Sequence, residues 1–166
     1  AATPIYRGDK VVVVGGGNVA MDAARCALRL GASEVSIVYR RSLEELPARA
    51  EEVEHAMEEG VIFRLLSNPV RMLSDDKHQV IGVRCVEMEL GDPDESGRRR
   101  PVEKRDSEFT IDADCVIMAI ETSPNPLLRN TTTGLESNRR GGLIVEEETG
   151  LTTKDMVYAG GDVVTG

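Results

Sequence analysis

No stretch of this 166-residue chain holds eighteen consecutive apolar residues, so the sequence contains no candidate membrane-spanning helix. Its opening, AATPIYRGDK, lacks the apolar core of a secretory signal and reads as a linker marked by the turn signals Thr3-Pro4 and Gly8-Asp9. Cysteine is sparse: Cys26, Cys85 and Cys115 lie far apart and form no C-x-x-C pair. Without a disulfide framework they are expected to be buried small hydrophobes in a reducing cytoplasm. Histidine is sparser still. His55 and His78 have no evident partners, no closely spaced set of metal ligands exists, and a surface place is expected for both. Positive charge is in deficit, with 20 Lys and Arg against 29 Asp and Glu. The net charge of -9 argues against nucleic-acid binding, whose affinity leans on phosphate neutralisation. An acidic chain that takes an anionic ligand must gather its basic side chains locally, so the place of each arginine carries information.

What is present is an ordinary globular composition, 40% hydrophobic and 30% charged, long enough for one domain with a real core. The rest is organised around Lys10 to Asp22, KVVVVGGGNVAMD. Val11 to Val14 read as a parallel strand buried on both faces, too short for a helix. Gly15, Gly16 and Gly17 follow at once, and a helical pattern begins at Asn18. Strand, glycine turn, helix is the context in which Gly15-x-Gly17-x-x-Ala20 implies dinucleotide binding. Gly15 permits the tight turn, Gly17 lets backbone approach a pyrophosphate, and Ala20 lets the helix lie close to the sheet. The helix N-terminus then offers free N–H groups and the positive end of its dipole to phosphate.

The first helix is expected over Asn18 to Leu30, closed by Gly31, with Asp22 in its first turns as a dipole-stabilising acid rather than a catalytic one. A strand over Glu34 to Tyr39 follows, and its end is informative. NAD-binding units place an acid there for the adenosine ribose. Here Arg40 and Arg41 stand instead, and a planar guanidinium matches phosphate oxygens. The implied ligand is NADP(H) rather than NAD(H). A second helix is expected over Ala48 to Glu59, with Arg49 at its start within possible reach of the same phosphate, and then a strand over Val61 to Leu66.

The periodicity then changes. Val70 to Leu73, Val80 to Leu90 and Glu108 to Ile111 are expected as three antiparallel strands, with a long turn from Gly91 to Gly97. Arg98, Arg99 and Arg100 read as a charged hairpin arm rather than a second anion site. Cys115 to Ile120 resumes the parallel sheet and leads into an irregular loop, Glu121 to Pro126, at the carboxyl end of a strand, where ligands sit in open α/β sheets. Ala119 and Ile120 join the candidate set on that ground. Short strands are expected at Gly142 to Val145 and Met156 to Ala159, the second running into Gly160-Gly161-Asp162. Both ends of the chain stop inside apparent elements, so an excised piece of a longer protein is expected.

Together, VVVVGGGNVAMDAAR, YRRSLEELPARAEEVEHAMEEGV, GDPDESGRRRPVE, SPNPLL and YAGGDVVTG resemble the pyridine-nucleotide-disulphide oxidoreductase superfamily, most of all its NADPH-dependent glutamate synthase small-chain branch. The resemblance implies an α/β fold: a Rossmann-like parallel sheet with an inserted antiparallel β-meander, plus partial flanks of an FAD domain. It implies a cut end of the FAD domain at 1–8, an NAD(P)H-binding domain at 9–120 and an incomplete C-terminal piece of the FAD domain at 121–166. Gly15, Gly17, Asn18 and Val19 would hold the pyrophosphate, with Gly16 and Ala20 in the same cofactor-binding set, and Arg40 and Arg41 would hold the 2′-phosphate. Asp162 would bond the FAD ribitol or pyrophosphate region in the intact protein. Hydride would pass from NADPH to FAD, then electrons through iron–sulfur clusters upstream of this chain to a partner, the large glutamate synthase subunit or another electron-accepting subunit. No acid–base catalytic residue is expected here, and the chain alone is expected to bind NADP(H) without retaining FAD or turning over. The resemblance leaves open a ferredoxin-linked bifurcating route, dihydropyrimidine reduction and a non-catalytic NADP-sensing or degenerate module. Glu121 departs from the family's usual Ala-Ile-Gly at this point and supports the last of these.

Overall fold

The computed structural model describes residues 5–93, 97, 99–120 and 125–165. The chain divides into two compact units, 1–120 and 121–166.

In the first unit, β1 (Lys10–Val14), β2 (Glu34–Val38), β3 (Ile62–Arg64) and β7 (Cys115–Met118) form a parallel sheet in the order β3-β2-β1-β7. Val14 pairs with Val38 on one side and Met118 on the other, so β2, β1 and β7 end level. The valine run is explained by what covers it. Val11, Val13, Val35 and Ile37 face α1 (Asn18–Arg29) and α2 (Ala50–Glu58), meeting Ala20, Met21, Ala24, Val53 and Ala56. Val12, Val14 and Val38 face the other way, onto Val83, Cys85 and Ile111 of the antiparallel layer and Ala113 just after it. A strand sandwiched between two layers must be apolar at every position rather than every second one.

That second layer is an antiparallel sheet, β4 (Ser67–Ser74), β5 (Val80–Pro93) and β6 (Arg99–Asp112). It is the expected meander, with longer strands. The stretch from Gly91 was expected as turn, yet Pro93 still pairs with Arg99 and Leu90 with Pro101. The sixth strand was expected only at Glu108 to Ile111, but fourteen residues belong to it. The extra residues are mostly charged and exposed, and they are held by cross-strand pairing, including the Lys104–Glu87 ion pair at 2.8 Å. Apolar alternation cannot reveal such a segment.

Helix α1 lies against α2, and the Glu59 carboxylate accepts from Arg25 at 2.8 Å and from Arg29 at 2.6 Å. At the sheet's other end, the Asp114 carboxylate accepts from the backbone N–H groups of Asp9 and Lys10 at 2.9 to 3.1 Å. The cysteine expectation is corrected in one case: Cys85 is buried and Cys115 half-buried, but Cys26 is exposed.

In the second unit the described residues are sparsely ordered into α3 (Pro126–Thr131), α4 (Asp162–Thr165) and three isolated bridges. The expected strands at 142–145 and 156–159 reduce to the bridges Ser137–Leu143, Val145–Thr152 and Leu151–Tyr158. Left-handed backbone at Gly141, Gly150 and Met156 interrupts any longer ladder. Helix α3 was not expected. Asn125 caps it through Leu127 N–H at 2.9 Å, and Pro126 opens it, a legible start signal.

Candidate functional site

The three strand ends create the site. The chain runs outward from β1 through β2 to β3 and returns to β7 on the far side of β1. The order therefore reverses between β1 and β7, the place where open α/β sheets take ligands. Gly15 stands there with φ +147°, its N–H donating to the Val38 carbonyl at 3.1 Å. A Cβ on Gly15 would lie 2.2 Å from the Ala119 carbonyl oxygen, so only glycine fits. Ala119 N–H in turn donates to the Val14 carbonyl at 2.8 Å. Beside it, Met118 and Ile120 expose apolar side chains at the carboxyl end of β7.

The three glycines do different work. Gly16 packs: a Cβ there would meet the Tyr39 ring at 2.6 Å and Leu46 at 2.8 Å, and its carbonyl accepts from Ala48 N–H at 3.1 Å. Gly17 is the N-cap of α1, and a Cβ there would meet nothing within 4 Å. Among the described residues no side chain caps this helix, and its first turn carries no acid. Asp22, the fifth residue of α1, sits just beyond that first turn and is exposed. The Gly17 carbonyl takes the Ala20 and Met21 N–H groups, while Asn18 turns its side-chain oxygen outward to Arg49 N–H at 3.0 Å. Asn18 therefore leaves the helix N-terminus bare and docks the start of α2 beside it. Val19 is exposed and Ala20 fully buried. A bare N-terminus, with open space in front of Gly17, suits a phosphate group.

After β2 the arginines separate. Arg40 is exposed, with no ion pair or hydrogen bond among the described residues. Arg41 turns inward, 7% exposed, and its Nε donates to the Arg99 carbonyl at 2.9 Å. The turn is fixed on all sides. Leu66 N–H donates to the Arg41 carbonyl at 3.1 Å, Ser67 N–H to the Tyr39 carbonyl at 3.0 Å, and the buried Tyr39 hydroxyl to the Glu45 carbonyl at 2.8 Å. Ser42 and Glu45 form a capping box over the short turn Leu43–Glu45. The Ser42 hydroxyl, and after it Arg99, holds the Glu45 carboxyl below the usual carboxylate range against its burial. Arg49 is largely exposed and only loosely paired with Glu52, at 3.4 Å.

The structure thus brings Gly15, Gly16, Gly17, Asn18, Val19, Ala20, Arg40, Arg41, Arg49, Ala119 and Ile120 to one unit, most of them around the strand ends. Asp162 belongs to the second unit, exposed at the start of the four-residue α4. Glu121 lies outside the described residues. Sequence reasoning missed Tyr39 and Leu46, which roof Gly16, and Arg99, which meets the turn from the opposite layer. In this turn only the capping box carries a local sequence signal, Ser42-x-x-Glu45. Among the described residues no group of three or more His, Cys, Asp or Glu could hold a metal ion, and no helix is long and apolar enough to cross a membrane.

Comparison with known proteins places the chain in a family and a fold. The family model described as pyridine nucleotide-disulphide oxidoreductase matches residues 2–166. The NADP(+)-dependent formate dehydrogenase subunit beta of Moorella thermoacetica is 47% identical over 98% of the chain, which covers 23% of that protein. The NADPH-Fe(3+) oxidoreductase subunit beta of Geobacter sulfurreducens is 53% identical over 74% of the chain and 18% of its own length. The glutamate synthase [NADPH] small chain of Halomonas elongata is 40% identical over 96% of the chain and 34% of its own length. The chain therefore spans between 18% and 34% of the length of these relatives. Among solved structures, the T. acidophilum thioredoxin reductase superposes with a TM-score of 0.73 at 21% identity, over 95% of this chain and 45% of that one. That likeness is one of fold.

Proposed function

The chain belongs to the pyridine nucleotide-disulphide oxidoreductase family, and on that premise we propose that it is the NADP(H)-binding portion of a flavoprotein oxidoreductase of the glutamate synthase small-subunit type. The observation that carries the reading is the pairing of an uncapped α1 N-terminus in front of Gly17 with an exposed arginine, not an acid, after β2. The N–H groups of Gly17, Asn18 and Val19 bind the pyrophosphate. Arg40 binds the 2′-phosphate from outside, Arg41 adds positive charge from beneath, and Arg49 extends from the start of α2 toward the same group. Ala119 and Ile120 support the nicotinamide half. When bound, NADPH supplies a hydride, for which FAD is the acceptor in the longer protein. The role of these residues is to bind and orient. Asp162 is assigned to the FAD side, and electrons leave through iron–sulfur clusters upstream to a partner subunit.

One observation favours a second reading of that partner. Identity is higher to the formate dehydrogenase and NADPH-Fe(3+) oxidoreductase β subunits than to the Halomonas glutamate synthase small chain. An electron-accepting subunit other than the large glutamate synthase chain accounts for that ordering. Co-purification from the source cell separates the two by the identity of the accompanying subunit.

Calorimetric titration with NADPH and NADH, repeated on Arg40→Ala and Arg41→Ala, tests the core proposal. A charge-assisted phosphate contact contributes about 1.5–3 kcal/mol, so NADPH should bind roughly tenfold or more tightly than NADH, and Arg40→Ala should erase most of the difference. Equal binding of both nucleotides refutes the NADP assignment, and binding of neither leaves a degenerate module.

A further inference from the structure

Arg99 ties the antiparallel layer to the turn after β2 in a way that the fold does not require. Its carbonyl accepts the Arg41 guanidinium at 2.9 Å. Its own guanidinium donates to Glu45 at 2.7 Å and to Glu44 at 3.1 Å. The turn itself is held without that side chain, by the Leu66, Ser67 and Tyr39 bonds and the Ser42–Glu45 capping box. What the Arg99 side chain supplies, among the described residues, is positive charge against two carboxylates standing three to five residues from Arg40 and Arg41. The Ser42 hydroxyl, ahead of Arg99, holds the Glu45 carboxyl below the usual carboxylate range. Unopposed, these two charges would repel a phosphate dianion at the turn.

We propose that Arg99 is the positioning residue of the 2′-phosphate subsite and a determinant of NADPH over NADH, neutralising Glu44 and Glu45 with its guanidinium while its carbonyl orients Arg41. This rests on the reading that the turn after β2 receives the 2′-phosphate. Phosphate selectivity is therefore shared between the parallel sheet and β6, contributed from 58 residues farther along the chain.

The test is equilibrium titration of the protein with NADPH and with NADH, in wild type, Arg99→Ala, Arg99→Lys and Arg99→Ala combined with Glu44→Gln and Glu45→Gln. Arg99→Ala keeps the carbonyl and removes the charge. It should weaken NADPH about fivefold or more and NADH less than about twofold, as expected for a charge at a partly exposed site. Arg99→Lys should retain most of the preference, and the triple variant should recover it, since glutamine still serves the capping box. Should Arg99→Ala not fold, Glu44→Gln carries the test: Glu44 is 84% exposed, and losing its charge should raise the NADPH-to-NADH affinity ratio. Parallel weakening of both nucleotides, an unchanged ratio, or no recovery in the triple variant overturns the role of Arg99. A wild type that shows no NADPH preference overturns instead the 2′-phosphate reading on which it rests.

Discussion

Adding one methyl group at Gly15 or at Gly17 should produce opposite phenotypes. At Gly15 the new Cβ would lie 2.2 Å from the Ala119 carbonyl oxygen and 2.8 Å from its carbonyl carbon, both backbone atoms. An ordinary non-bonded separation is about 3.5 Å, so the end of β7 must retreat by more than about 1 Å. That movement pulls on the 2.8 Å bond from Ala119 N–H to the Val14 carbonyl. The backbone also sits at φ +147°, which alanine rarely adopts. Backbone strain of about 1–3 kcal/mol and overpacking of similar size add to roughly 3 kcal/mol of lost stability for Gly15→Ala. At Gly17 nothing lies within 4 Å and φ is −86°, so the methyl group disturbs only the N-cap preference. Gly17→Ala should lose about 1 kcal/mol or less, yet it fills the space in front of the helix N-terminus and should weaken NADPH at least tenfold. Urea unfolding reads the first difference and calorimetric titration the second. A stable Gly15→Ala protein would refute the close approach of β1 and β7. A Gly17→Ala protein that binds NADPH normally would refute the phosphate site.

Two further outcomes follow from burial and hydrogen bonding. Burial pushes the Cys85 thiol up to about 11, with Arg64 opposing it only in part. A thiol with a raised folded pKa keeps its proton longer folded than unfolded, so stability falls as pH rises from the ordinary value of 9 toward about 11. Under native conditions at neutral pH a thiol reagent should label Cys26 and spare Cys85, and rapid native labelling of Cys85, read by peptide mass mapping, would contradict its burial. Asp114→Ala removes the acceptor for two backbone N–H groups, those of Asp9 and Lys10. It should lose about 2–3 kcal/mol in urea unfolding, with amide exchange at these two positions rising first.

The sequence by itself determined the central strand, the glycine turn and the first helix, because they follow from local chemistry. A strand covered on both faces must be apolar throughout, a turn at φ +147° pressed against a neighbouring carbonyl must be glycine, and a helix lying on a sheet must present small residues to it. The absence of an acid after β2 was legible for the same reason, as was the change of period that announces the meander. Only tertiary structure decided what the meander does. It replaces the helices on one face of the parallel sheet, burying Val12, Val14 and Val38 against Val83, Cys85 and Ile111. Only tertiary structure divided the roles of Gly16 and Gly17, since Tyr39 and Leu46 come from later in the chain to roof the one and leave the other open. The two adjacent arginines look equivalent in sequence. Arg41 lies inward, donating to the carbonyl of Arg99 far along the chain, while Arg40 stays in solvent, and a contact of that range depends on how two sheets stack rather than on any local pattern.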